Sequence, residues 1–200
     1  PHESIVIGAE GQVEIDEFSD AEHDSLSALP FLRFTRLTET DAALRDFAWK
    51  QCAQRRDRTA LIDLMHGLND HIRYQPGITA VDTSAAEAFA GRQGVCQDHA
   101  HAFIACARSL GIPARYVSGY LVTDSQDHLA SHAWAEAWLD GGWYSFDVTN
   151  CLSRPERHLK LAIGLDYLDA CPVRGMRRGG GSERLMARVD VEPLIQVQAQ

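Results

Sequence analysis

The sequence predicts an α+β fold, and three observations carry that expectation. Apolar residues recur at the helical period through the first half of the chain. A glycine-containing loop at Gly91 to Gly94 then opens a further helix, and beyond it the pattern becomes alternating and strand-like, with a hairpin signal at Asp140 and Gly141. The chain has 200 residues, 45% of them hydrophobic and 24% charged, which suffices for one sizeable core.

The elements follow in order. "SIVIGAEGQVEI" reads as two short β segments around Gly8 to Gly11, and the acidic "DEFSDAEHDSL" after it offers little to pack. Residues 1–30 are therefore expected to be the remnant of a preceding β-rich domain or a tether, with the main domain at 31–200. From Asp41, Leu44, Phe47, Ala48 and Gln51 begin one helix; Leu61, Leu64, Met65, Leu68 and Ile72 trace a second. Ser84 and Glu87 have capping-box spacing and start a short third helix. Cys96 opens a fourth, whose inward face carries Cys96, Ala100, Phe103, Ile104 and Ala107, and Gly111 with Pro113 stops it.

After "ARYVSGYLV", the segment "SHAWAEAWLDGGWYSFDVTN" alternates and turns. A two-residue turn at Asp140 and Gly141 sets Leu139 opposite Gly142, Trp138 opposite Trp143, Trp134 opposite Asp147 and His132 opposite Thr149. His132 then stands diagonal to Asp147 on one face. The other face carries Ala133, Ala135 and Ala137, small enough for the Cys96 helix to pack closely.

Composition excludes several functions. A net charge of −9, with no basic patch of adequate size, argues against a nucleic-acid partner. No stretch approaches the roughly 18 apolar residues of a membrane span, and no signal peptide is visible. The chain starts at Pro1, so whatever precedes it is not legible, and a cytoplasmic location is the expectation. Five cysteines (Cys52, Cys96, Cys106, Cys151, Cys171) show neither disulfide-scaffold spacing nor paired CxxC motifs, which fits a reducing compartment.

Cys96 differs from the other four in its setting. The unpaired amides and positive dipole end of a helix N-terminus stabilise a thiolate, the nucleophilic form of cysteine. The remaining cysteines are expected to be small buried or incidental thiols. With His132 as base and Asp147 orienting it, Cys96 would complete a Cys, His, Asp arrangement for acyl transfer.

The motifs "GVCQDHAHAFIACARSLGIPARYVSGYL", "SHAWAEAWL" and "WYSFDVTN", in this order over about residues 72–150, resemble the bacterial branch of the transglutaminase-like superfamily of papain-fold cysteine enzymes. "IRYQPGIT" upstream and "DYLDACPVRG" downstream are similar to the family as well. The resemblance implies Cys96 as nucleophile, His132 as base and Asp147 as orienting residue. It also implies a nucleophile-bearing helix packed on an antiparallel sheet. Val148 stands where the family commonly has proline, and a local backbone change is expected there.

The expected chemistry runs through a thioester formed on a peptide or carboxamide substrate. Hydrolysis is the first reading, amine transfer onto protein glutamine the second, and a non-catalytic binding module with a retained fold the third. The backbone N–H of Cys96 is one oxyanion donor by geometry; Tyr74 and Gln75 are candidates for another, and Trp134 for a cleft wall. No cofactor and no metal are expected. His99 and His101, about 200° apart around their helix, are expected to be solvent-exposed, although Cys96, Asp98, His99 and His128 form an alternative zinc set. Asp98 is expected to complement the helix dipole, with a substrate contact as its alternative. Trp138 and Trp143 are expected to pack the sheet, and "RGMRRGGGSER" to be a solvated link. Neither the substrate's identity nor the oligomeric state is legible.

Overall fold

In the computed structural model, residues 6, 8–13, 21–53, 55–122, 131–154 and 157–171 are described. The expected β segments around Gly8 fall partly outside them, and residues 8–13 form no strand. A 3-10 turn at Leu29–Leu32 leads into α1 (Ala42–Cys52) and α2 (Arg58–His71). Both helices start on an aspartate whose carboxylate accepts a backbone N–H: Asp41 from Leu44 and Asp57 from Ala60, each at 2.8 Å. Such caps satisfy amides that the first turn leaves without partners. β1 (Arg73–Tyr74) pairs in parallel with β2 (Gln93–Gly94), and between them lies α3 (Ala85–Gly91). Ser84 caps α3 in the full reciprocal box with Glu87, as its spacing predicts.

Next comes α4 (Cys96–Ser109), then the strands β3 (Ala114–Leu121), β4 (Ser131–Leu139), β5 (Gly142–Phe146) and β6 (His158–Gly164). They form one antiparallel sheet in the order β5-β4-β3-β6. Asp140 and Gly141 make the expected tight turn, with φ of 49° and 89°, the positive pair that matches the twist of a two-residue hairpin. The register follows for Leu139 opposite Gly142 and Trp138 opposite Trp143, but the ladder ends at Ala135 opposite Phe146. The expected pairs beyond that point do not form. Asp147 instead turns back in a single bridge with Leu152, its N–H donating to the Leu152 carbonyl at 2.8 Å.

Helix α4 lies at the centre. Ala133, Ala135 and Ala137 on β4 join it in the core, and Phe103 stacks on Phe146 of β5 at 4.9 Å. Small side chains on the strand bring the helix axis close, as the alanine spacing predicts. Leu61, Leu64, Met65 and Leu68 of α2 cover the opposite side, each at most 1% exposed, and side chains of this size contribute about 1.5–3 kcal/mol apiece on full burial. Consequently every residue from Asp98 to Arg108 is buried.

This overturns the expectation that His99 and His101 are solvent-exposed; they are 1% and 0% exposed. An amphipathic reading grants a helix one wet face, and a helix covered on all sides has none.

The sheet face away from α4 is charged. The Arg115 guanidinium is buried between Glu136, at 2.6 Å, and Glu22, at 3.1 Å, and lies over the Trp143 ring; Lys160 joins Glu22 and Glu136. Glu22 also exchanges two backbone hydrogen bonds with Trp143, so the chain around Glu22 adds to the β5 edge. The opposite edge has a bulge. Ser118 faces Ala162, but Gly119 faces Lys160, so Leu161 is an extra residue in β6. A one-residue slip exchanges the two faces of a strand. Downstream of Ser118, the bulge therefore turns Lys160 and His158 to the charged side.

Candidate active site

The N-terminus of α4 owes its geometry to Gly94 and Asp98. Val95 is the N-cap and has no side-chain acceptor, so only the return half of a capping box forms: the Asp98 carboxylate accepts the Val95 N–H at 2.8 Å. The same carboxylate oxygen accepts the Thr79 hydroxyl at 2.7 Å, which ties the loop after β1 to the helix start. A side chain at position 94 would come within 2.7 Å of the Asp98 Cβ, so this approach requires glycine. Asp98 is 1% exposed. Burial raises its pKa against these hydrogen bonds. It thus holds the helix start together.

Cys96 is the first residue of α4, and its N–H has no intrahelical acceptor. Its thiol is half-buried and lies near the imidazole of His132, whose pKa it helps to raise. The Nε2 of His132 meets Asp147 Oδ2 at 2.7 Å, which leaves Nδ1 as the nitrogen toward Cys96. By strand parity His132 faces away from the alanine stripe on which α4 packs. The thiol and the imidazole therefore meet around the end of the sheet, where β4 begins.

Burial opposes a charge on His132, but the hydrogen bonds to Asp147 and Cys96 outweigh it and carry its pKa up to about 9. Burial would likewise raise Asp147; the His132, His158 and Asn150 side chains instead hold its carboxyl well below the usual carboxylate range. These groups favour the imidazolium form of His132 beside an ionised Asp147.

Two further histidines belong to this arrangement, and sequence reasoning missed both roles. His158 donates to Asp147 Oδ2 from its own Nε2 at 3.0 Å. Only the bulge brings it there, and no periodicity in "HLKLAIG" announces the bulge. His99 contacts the Thr149 hydroxyl through Nδ1 at 2.9 Å and the Ile72 carbonyl through Nε2 at 2.8 Å. The carbonyl can only accept, so Nε2 carries the proton and the hydroxyl donates to Nδ1. His99 therefore braces the loop after Asp147 against the C-terminal end of α2. Asn150 adds its backbone N–H to Asp147 Oδ1 at 3.2 Å and its side-chain amide to Oδ2 at 2.8 Å.

The other candidates lie as follows. Tyr74 is half exposed; burial and the neighbouring Cys96 charge both push its hydroxyl pKa up, so the hydroxyl stays protonated close to the thiol. The Gln75 backbone N–H is used by the Gly94 carbonyl at 2.7 Å. Trp134 is 1% exposed and its ring lies edge-on to His158 at 4.7 Å, so it supports the histidines from beneath. Trp138 and Trp143 pack edge to face at 5.3 Å.

As for metal ligands, His99 has both nitrogens occupied, and His128 and the "RGMRRGGGSER" segment lie outside the described residues. Among the described residues, His132, Asp147 and His158 bring their ligand atoms within 4.8 Å of one another. Both imidazoles point Nε2 at the same carboxylate oxygen, an arrangement that hydrogen bonds alone account for.

Comparison with known proteins places this geometry in context. Residues 48–148 match the sequence model of the transglutaminase-like superfamily. An uncharacterized protein of Mycobacterium leprae is 37% identical over 143 residues, covering 68% of this chain and 51% of its own length. A protein-glutamine gamma-glutamyltransferase of Pseudomonas aeruginosa is 33% identical over 119 residues, 53% of this chain and 18% of the relative. The crystal structure of a "putative cysteine protease" from Cytophaga hutchinsonii superposes with a TM-score of 0.64 at 33% identity, over 74% of this chain and 50% of that one. The chain spans about half the length of the mycobacterial relatives it matches.

Proposed function

From the premise that the chain belongs to the transglutaminase-like superfamily, we propose that it is a cysteine-dependent acyl-transfer enzyme that hydrolyses peptide or carboxamide bonds. The observation that carries this reading is the hydrogen-bonded pair of His132 and Asp147 beside the Cys96 thiol at the open end of α4.

The Cys96 thiolate attacks the carbonyl carbon, and the C–S bond forms as the carbonyl electrons move onto oxygen. The Cys96 N–H, at the helix end, donates to that oxyanion. Imidazolium at His132 gives its Nδ1 proton to the leaving nitrogen, the C–N bond breaks, and a thioester remains. Water then attacks the thioester, His132 takes its proton, and the C–S bond breaks to release a carboxylic acid and regenerate the pair. Asp147 keeps the Nε2 proton in place throughout, so Nδ1 is always the nitrogen that exchanges.

Hydrolysis is the first reading, supported by the similarity in fold to the cysteine protease structure over 74% of this chain. The resemblance to the glutamyltransferase supports the second reading, in which an amine replaces water at the thioester. Mass spectrometry separates them. The protein is incubated with a glutamine-containing peptide, with and without a primary amine. Free acid in both reactions means hydrolysis, and an amine adduct means transfer. Loss of both products in Cys96→Ala is expected; persistence of either would remove the nucleophile assignment.

A further inference from the structure

Asp147 has more donors than orienting one imidazole requires. Three of them converge on Oδ2: His132 Nε2 at 2.7 Å, Asn150 Nδ2 at 2.8 Å and His158 Nε2 at 3.0 Å. A carboxylate oxygen offers about two lone-pair directions, so these donors share its charge. His158 is buried, and its Nδ1 has no hydrogen-bond partner among the described residues. An ionised carboxylate can only accept, so His158 must carry a proton on Nε2.

We propose that His158 is a positioning residue for the reaction above, a second imidazole that shares Asp147 Oδ2 with His132 and so keeps the His132 imidazolium able to release its proton. The inference rests on the reading of His132 as the proton-transfer group. An unshared buried aspartate would bind the imidazolium too tightly and leave it a poor acid for the departing nitrogen. By drawing on the same oxygen, His158 weakens that hold. The ionisable groups around His132 are Cys96 and His99 on α4, Asp147 after β5 and His158 on β6; those around His158 are Asp147 and His132.

The fold makes specific provision for His158. The β6 bulge turns it to this face, and Gly119 lets the strand in: a Cβ there would lie 2.0 Å from the Leu159 carbonyl oxygen and 2.9 Å from the Trp134 ring. Trp134 then covers the His158 ring.

The test is an NMR titration of the histidine side-chain nitrogens in the whole protein, alongside His158→Gln and His158→Phe. In the unsubstituted protein the Nε2 of His158 is expected to carry a proton from pH 6 to 9. A His158 whose Nε2 carries no proton in that range overturns the proposal without any variant. In His158→Phe, which removes the donor and keeps the ring, the His132 midpoint is expected to rise by about one unit, the size of change that one hydrogen bond to a charged group can produce. Glutamine can place an amide N–H near the same oxygen and should hold the midpoint within a few tenths. An unchanged or lowered midpoint in His158→Phe, with the fold intact by circular dichroism, overturns the sharing. Failure of the underlying reading is visible separately: His132→Ala would then leave alkylation of Cys96 unaltered.

Discussion

Cys96 differs from the other cysteines in what surrounds its sulfur. Cys52 and Cys106 are buried and direct their thiols at the Ala60 and Leu44 carbonyls, and burial pushes Cys52 up to about 11 and Cys106 higher still. Burial raises Cys151 as well. Limited iodoacetamide at pH 7 is therefore expected to alkylate Cys96 first, as peptide mapping would reveal, and His132→Ala should slow that step at least about tenfold. Equal labelling of all five thiols would contradict the ion pair. At Asp147, the isosteric change to Asn removes the charge that favours imidazolium while keeping the volume. With a hydrolysable substrate in hand, kcat should fall at least about tenfold. The loss of one buried charge from this cluster should also lower the melting temperature, by several degrees in a domain of this size. An unchanged kcat would mean that another group orients His132.

At the scale of elements, what was legible in the sequence is what is local. The Ser84 and Glu87 box, the Asp140 and Gly141 turn with its register, the α4 start at Cys96 and the alanine stripe are each specified by residues within a few positions of one another. His158, the bulge at Leu161 and the turn that takes Asp147 out of the ladder depend on pairing between distant strands, and no short pattern encodes them. The two kinds of feature should respond differently to substitution. Ser84→Ala removes one cap and is expected to cost about 1 kcal/mol in urea unfolding, with Cys96 alkylation unchanged. Gly119→Ala forces backbone apart at the bulge, and is expected to cost about 2–4 kcal/mol and to slow alkylation as well. Were both variants equally stable, the close approach of β6 at Gly119 would not be a real constraint.

For the whole molecule, two histidines with opposite shifts shape stability against pH. His132 is raised to about 9, so its contribution is fully present below its ordinary value near 6.5 and is lost as pH rises through about 9. His101 is lowered to about 4 by burial; its Nε2 accepts the Tyr167 N–H at 3.1 Å. Its contribution is present above about 6.5 and is lost as pH falls through about 4, worth at most roughly 3 kcal/mol. Asp147, held below the usual range, weakens the fold on the same acid side. Thermal melting is therefore expected to peak between about pH 6 and 7 and to decline on both sides. His101→Phe should flatten the acid limb alone; an acid limb unaffected by this change would assign it to the carboxylates.

The complete burial of α4 also bears on how the molecule breathes. A helix with no wet face cannot open one turn at a time, because each turn is pinned by α2 on one side and by β4 on the other. Its central amides should exchange with deuterium only when the whole domain unfolds, while those at Cys96 and Gln97, where the helix meets solvent, exchange far sooner. The Cys96 sulfur is thus expected to sit on the boundary between the slowest and the fastest clocks in the protein, half-buried at the tip of a rigid rod that holds it in place from behind.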